Sequence, residues 1–460
     1  MKFVRHLITL FVLFLSTAAG PAAPPVVRFY VRLTTTSDWT RWKPESAVIL
    51  GRAIAVEKGD DARIHAMGVE NLALNQPLES RREVSALFEV FVTRLGGPLR
   101  FSLRKGDVGE TRLELYLKRP NDGTLPDFTI ENSGKVPGDP ENPLPGEVSV
   151  DLTRKFETLQ LPDLGYSKRV LAFYYPWYGN PDGPSRRWSH WDPKGQHYAS
   201  RHTPKLGWYD SADDRIMKAH MALAKESGIH GFIASWWGIG SFEDGVMPAL
   251  LKAAEQTHFS IAVYLERGDN PAEVAEEIEH IASHYGRSRS FLREEGKPVI
   301  FVYGRLLEKM DSVEKWQAVR DKLDNKEVSV FLIGDTFDMS LGQAFDGLHT
   351  YNPVGQPVDF VARGYQAVWL GSRVAGKLFA ATVTPGYDDT FVRKPGMVVE
   401  REDGALYRKF WEAAIAARPD WILITSFNEW HEGSEIEPSK ELGDLDLRLT
   451  REYAPRFNRR

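Results

Sequence analysis

From residue 170 onward the sequence keeps one rhythm: a short apolar run, a helix-patterned stretch, then another apolar run. The runs span 170–175, 231–236, 261–265, 299–303, 328–333, 347–351, 378–383 and 421–425. They are continuous rather than alternating, as expected of parallel strands that helices cover from outside. Between them lie spacings such as Val274, Ile278, Ile281, Ala282 and Tyr285, which set apolar groups on one side of a helix. Eight such units over roughly 290 residues predict a closed (β/α)8 TIM barrel, for which about 250 residues is typical. An open doubly wound sheet is the alternative, but no glycine-rich phosphate loop follows the first run. The barrel is assigned to residues 168–460.

The chain before the barrel has a different texture. Lys2 and Arg5 precede an apolar stretch from Leu7 to Leu15, and Ser16, Thr17, Ala18 and Ala19 follow. That is the pattern of a secretory signal peptide over residues 1–19. The apolar stretch falls short of the roughly 20 residues that span a bilayer, so the mature chain is expected to be exported, periplasmic or secreted, with no lasting membrane insertion. With no cysteine, the chain has no disulfide, thiolate metal site or lipoprotein anchor. Export without disulfides suits a bacterial envelope. Residues 26–160 predict a small, sandwich-like all-β accessory domain. Within it Arg112–Lys118 alternates, with Leu113, Leu115 and Leu117 on one face, and Glu147–Thr153 reads as a further strand. Leu87–Leu95 and Leu99–Leu103 flank Gly96-Gly97-Pro98 and predict a hairpin. The domain is either a carbohydrate-binding module or a packing domain, and the lack of an aromatic stripe favours packing.

In a parallel barrel the active site lies where the strands end, and the polar residues of this chain gather there. The first run leads into Tyr174-Tyr-Pro-Trp-Tyr-Gly-Asn180 and then Trp188-Ser-His-Trp-Asp192. The second ends in Ser235-Trp-Trp-Gly238, the third at Glu266 and Arg267, the fifth at Asp335 and the sixth at His349-Thr-Tyr-Asn352. The seventh ends in Pro385-Gly-Tyr-Asp-Asp-Thr390, and the eighth in a cluster where Glu429 and Glu432 stand three residues apart beside Asn428, Trp430 and His431. A net charge of -5 and a pI near 6.2 argue against nucleic acid as partner. Rings and carboxylates on one rim suit a neutral, polyhydroxylated ligand, and a carboxylate pair beside aromatic platforms is the equipment for cutting a glycosidic bond. His431-Glu432 lacks a second histidine four residues on, since Glu435 stands there, so the metalloprotease pattern fails. No G-x-S-x-G elbow supports a serine hydrolase. Asp388-Asp389 with Asp192 reads either as a divalent-ion site or as a hydrogen-bonded turn, the commoner use of an acidic pair after Gly-Tyr; no metal and no cofactor are expected.

Four of these segments, Phe173–Asn180, Ser235–Gly238, Pro385–Thr390 and Ser426–Gly433, together resemble glycoside hydrolase family 99, the endo-α-1,2-mannosidases and endo-α-1,2-mannanases. The resemblance runs from about Arg169 to the C-terminus and leaves the N-terminal domain uncovered. A related bacterial group linked to polysaccharide synthesis carries Ala where His431 stands, which places this chain nearer the hydrolases. The resemblance implies that Glu429 and Glu432 are catalytic and that configuration is retained through a 1,2-anhydro sugar. Glu429 would deprotonate the sugar 2-hydroxyl, and Glu432, with a raised pKa, would protonate the leaving oxygen. It also implies that Tyr178, His190, Trp191, Glu266, Tyr351 and Asn428 line the subsites and that Trp237 stacks on a sugar beyond them. Tyr387 and Asp388 are assigned to substrate binding as well. A monomer acting on an oligosaccharide or polysaccharide is the expectation.

Overall fold

The computed structural model describes residues 163–195, 200–337 and 341–459, and before them chiefly the eight strand segments named next. These are β1 (Val27–Ser37), β2 (Ile54–Glu57), β3 (Ala62–Glu70), β4 (Arg82–Val92), β5 (Pro98–Leu103), β6 (Val108–Tyr116), β7 (Phe128–Asn132) and β8 (Gly146–Asp151). They form two antiparallel sheets, in the orders β3-β4-β1-β6-β7 and β2-β5-β8. The sequence pattern predicts that β4 and β5 pair across Gly96-Gly97-Pro98, but they lie in different sheets. Both edges of β4 are taken, by β1 and β3, while β5 lies between β2 and β8. Tyr116 on β6 is buried with Tyr30 and Leu87, and Arg32 donates to its hydroxyl at 2.5 Å. The predicted signal peptide lies outside the described residues.

The barrel strands are β9 (Arg169–Tyr174), β10 (Gly231–Trp236), β11 (Ser260–Leu265), β12 (Lys297–Val302), β13 (Phe331–Asp335), β14 (Gly347–His349), β15 (Leu378–Val383) and β16 (Trp421–Ile424). Each pairs in parallel with the next, and β16 pairs with β9, so the sheet closes. Helices α1 (Asp214–Glu226), α2 (Phe242–Thr257), α3 (Pro271–His280), α4 (Gly304–Lys309), α5 (Val313–Asp324), α6 (Val358–Ala375), α7 (Ala405–Ala416) and α8 (Leu445–Asn458) alternate with them. Among the described residues, β13 and β14 are joined without an α-helix, through a short 3-10 turn at Leu341–Ala344. The fifth strand starts three residues later than its apolar run, because the Val328 amide closes the end of α5 on Leu323 O at 2.9 Å. Among the described residues, Gln366–Lys377, the end of α6, group with the N-terminal strands as a second compact unit, and the rest of the barrel forms the first.

The barrel interior is filled by alternate residues of each strand. Leu171, Phe173, Ile233, Tyr264, Phe301, Ile333, Ala380, Trp421 and Leu423 form one buried cluster. Above it, Phe173 meets the Tyr351 ring edge-on at 4.9 Å and Tyr264 stacks on Tyr351 at 5.8 Å. This floor of rings sets the depth at which anything at the rim must sit.

Candidate active site

The turn after β16 is built by its own backbone. Ser426 N donates to Ser434 O at 2.8 Å, Ile436 N to Ser426 O at 3.0 Å, and Glu437 N to Phe427 O at 2.8 Å. The Ser426 hydroxyl accepts the Glu429 amide at 2.7 Å. Gly433 closes the turn at φ +57, and a Cβ there would meet the Asp388 amide nitrogen at 3.1 Å. Glycine answers both the left-handed backbone and the close approach. The result projects Glu429 and Glu432 from one rim, at the C-terminal end of the last strand.

The two glutamates meet different surroundings. Glu429 is 2% exposed, and its Oε1 accepts the His431 amide at 3.1 Å. Burial, then the charges of Glu432 and Glu266, push its carboxyl well above the ordinary range. The Glu432 side chain is 16% exposed and held at both oxygens. Arg393 donates to its Oε1 at 3.0 Å and the Tyr351 hydroxyl to its Oε2 at 3.3 Å, while the Tyr175 hydroxyl donates to Tyr351 at 2.7 Å. Glu429 thus stands among carboxyls, whereas Glu432 faces a guanidinium. Paired carboxyls pushed apart by their environments are the usual basis for separate acid and base roles.

Glu266 is the third carboxyl, at the end of β11. Its Oε1 accepts from the Ser235 hydroxyl, which itself accepts from Trp237 Nε1 at 3.1 Å. Burial raises it to about 8 against the opposing Ser235 hydrogen bond, so near neutral pH it mostly carries a proton. The linkage sign follows from that. The folded value lies above the unfolded one, so the folded state binds the extra proton and loses stability as pH rises from about 4.5 to about 8. Glu266→Gln, neutral throughout, should gain melting temperature over the wild type as pH rises through that window and show little difference below it. A difference in melting temperature that stays flat from pH 4.5 to 8 would count against a buried neutral Glu266.

Three residues expected to line subsites are enclosed by neighbouring side chains and backbone. Tyr178, Trp191 and Asn428 are 0%, 1% and 0% exposed. Tyr178 stacks on Trp191 at 3.8 Å, and its hydroxyl donates to Asn428 O at 3.0 Å and accepts the Trp430 amide at 3.1 Å. Asn428 Oδ1 accepts the Tyr175 amide at 2.7 Å, and its Nδ2 donates to Tyr175 O and to the Tyr209 hydroxyl, each at 3.1 Å. These three bonds tie the end of the last strand to the first. Asn428→Ala strands three partners in a buried place and should cost about 2–4 kcal/mol of unfolding free energy, measured by denaturant titration. A variant of wild-type stability with a strongly raised KM would restore Asn428 to the ligand surface.

Tyr387 and Asp388 are also turned to structure. Asp388 accepts the Thr390 amide at 3.1 Å and hydroxyl at 2.5 Å on Oδ1, and pairs with Arg201 through Oδ2. Its charge staples a turn, as one of the two sequence readings has it, and Asp192 does the same for the Lys194 and Gly195 amides. Among the described residues no group of three or more His, Asp or Glu could hold a metal ion. Tyr387 receives Arg393 at 2.6 Å and donates to Asp389 at 3.2 Å. His190 is exposed, stacks on Trp177 at 4.2 Å and meets His431 at 3.2 Å. Trp237 and Tyr351 are half-buried at the same rim.

Behind the turn lies a network with no sequence signature. Glu437 accepts from Tyr209 at 2.8 Å and from Trp430 Nε1 at 3.2 Å, and His220 on α1 lies 3.2 Å from it. Both His220 and Glu437 side chains are fully enclosed. Arg393 was equally hidden in the sequence: it sits 39 positions from its partner Glu432, in a stretch without a motif.

Comparison with known proteins gives a consistent picture. The model of the family described as "Glycosyl hydrolase family 99" matches residues 166–446. A human "Glycoprotein endo-alpha-1,2-mannosidase-like protein" is 30% identical over 346 residues, covering 62% of this chain and 75% of that one. The mouse "Glycoprotein endo-alpha-1,2-mannosidase" is 27% identical over 356 residues, covering 65% and 77%. Among solved structures, the GH99 endo-alpha-mannosidase from Bacteroides thetaiotaomicron superposes with a TM-score of 0.57 at 27% identity, over 63% of this chain and 98% of that one.

Proposed function

Because the chain belongs to glycosyl hydrolase family 99, we propose that it is an exported, retaining, endo-acting hydrolase of α-1,2-type mannosidic linkages in mannans or mannose-containing glycans. The observation that carries this reading is the pair Glu429 and Glu432 on the rim of β16, one enclosed among carboxyls and one held by a cation and a phenol. The relatives whose names carry endo-alpha-1,2-mannosidase support the sugar and the linkage, and the solved endo-alpha-mannosidase supports the sugar.

In the proposed reaction Glu429, which its raised pKa makes the stronger base once it is ionised, takes the proton of the sugar 2-hydroxyl. The freed oxygen attacks the anomeric carbon as the glycosidic bond breaks, and the leaving oxygen receives its proton from Glu432. A 1,2-anhydro sugar results. Glu432 then takes a proton from water, which opens the three-membered ring at the anomeric carbon, and the 2-oxygen recovers its proton from Glu429. Two inversions at one carbon give net retention, one of the substrate-assisted exceptions to a carboxylate nucleophile. Glu266, neutral near pH 7, supplies a hydrogen-bond donor to the bound sugar, and Trp237 beside it supplies a ring face.

The test is product analysis on a panel of α-mannans and glucosylated mannosides, with the anomer first formed read by NMR. Release of an internal oligosaccharide as the α-anomer supports the proposal. The β-anomer would overturn retention, and an uncleaved panel would overturn the assignment to α-mannosides.

A further inference from the structure

The loop between β15 and α7 reaches into the site through one long side chain. Arg393 spans two carboxylates: Nη2 donates to Glu432 Oε1 at 3.0 Å, and Nη1 donates to Asp389 Oδ2 at 2.7 Å and to the Tyr387 hydroxyl at 2.6 Å. Asp389 is fixed in turn. It is 4% exposed, and its second oxygen accepts the Met397 amide at 2.6 Å. A guanidinium is planar and forked, so a partner on each edge fixes its plane and its reach. The chain of contacts runs from the loop backbone through Asp389 and Arg393 to the carboxylate at the rim.

We propose that Arg393, anchored on Asp389, is a positioning residue for Glu432: it fixes the carboxylate's orientation and supplies the counter-charge that governs its protonation. This rests on the proposed glycosidase reading and deepens it. The charged groups facing Glu432 are Arg393, Glu429 and Glu266, and the phenols of Tyr175, Tyr303, Tyr351 and Tyr387 surround them. His431 stands next to it in the chain. Arg393 is the cation bonded to Glu432 itself, while Arg305 acts on Glu266 and Tyr303. Both oxygens of Glu432 are engaged, so delivering a proton to a leaving oxygen requires the Arg393 or the Tyr351 contact to yield.

The sign of the effect follows. An adjacent cation favours the ionised carboxylate, so removing it lets Glu432 hold its proton to higher pH. The alkaline limb of kcat/KM, which reports the essential acid of the free enzyme, should therefore move upward. In the full chain, Arg393→Met should lower kcat/KM on an α-mannoside with a poor leaving group by about 10²-fold and raise that limb by about one pH unit. Arg393→Gln, which keeps a donor but not the charge, should move the limb the same way and serves if the methionine variant folds poorly. Arg393→Lys should restore the wild-type limb with only part of the rate. On an aryl substrate with a good leaving group the limb should be weak in all variants.

A limb unmoved in both neutral variants overturns the proposal, even if the rate falls, since a purely structural loss leaves the profile in place. A limb that moves as far in Arg393→Lys overturns it too, because the charge is then not what matters. Wild-type protein that cleaves no α-mannoside would sink the parent reading instead, so the two failures are told apart.

Discussion

Glu429→Gln should lower kcat/KM by about 10³-fold or more, near the upper part of the range for a removed acid–base group, and no change of leaving group should restore it. The reason is the order of events in the proposed reaction. Glutamine cannot take the proton of the 2-hydroxyl, so the internal nucleophile never forms, whatever departs from the anomeric carbon. The exchange of carboxyl for amide is nearly isosteric and removes one member of a crowded acidic group, so the folded state should be kept, checked by circular dichroism and melting temperature. Kinetics on a natural oligosaccharide and on an activated aryl or fluoride α-mannoside make the comparison. A substrate lacking the 2-hydroxyl should be inert with the unaltered enzyme, and near-normal cleavage of a 2-deoxy or 2-O-methyl substrate would rule out the anhydro-sugar route while leaving a glycosidase in place.

Glu432→Gln should behave differently on the same two substrates. On the oligosaccharide kcat/KM should fall by about 10²–10⁴-fold, the usual worth of a general acid. On the activated substrate the bond breaks without a donated proton, so most of that loss should vanish from the first step. The later attack of water still lacks its base, and the anhydro sugar should persist long enough for an added nucleophile such as azide to speed turnover. The pattern also tests the assignment of roles. Burial and like charge push the Glu429 carboxyl up, and Arg393 faces Glu432. Rescue of Glu429→Gln rather than Glu432→Gln by a good leaving group would exchange the two roles.

Much of this was legible because the barrel writes itself into the chain. Continuous apolar runs marked all eight strands, and the rim clusters marked the ends that carry Glu266, Tyr351, Glu429 and Glu432. What the pattern lacks is direction within a rim. Tyr178, Trp191 and Asn428 occupy rim segments and also carry the buried hydrogen bonds with which the loops after β9 and β16 pack together. Composition cannot distinguish an asparagine that clamps two strands from one that meets a sugar. Arg393 was invisible for another reason. Its partners are an acidic residue four positions back and a glutamate in a separate element, and neither spacing has a signature. In the N-terminal region a turn-like Gly-Gly-Pro suggested a pair that the sheets do not make, since local turn propensity says nothing about which edges are already taken.

The ring closure of the barrel has a consequence for when activity can exist. Asn428 grips Tyr175 across 253 positions, Phe427 N bonds Phe173 O, and β16 pairs with β9 along four registered positions. These are among the most distant contacts in the chain, and non-local pairings of this kind are slow to form. The strand that seals the cylinder is also the strand that carries both glutamates, so topological completion and catalytic competence are one event. A fragment ending before β16, or a nascent chain still emerging, would hold seven strands and most of the aromatic floor yet have nothing to cut with. Regain of turnover during refolding should therefore lag the return of helical ellipticity, making hydrolysis a clock for the last docking step.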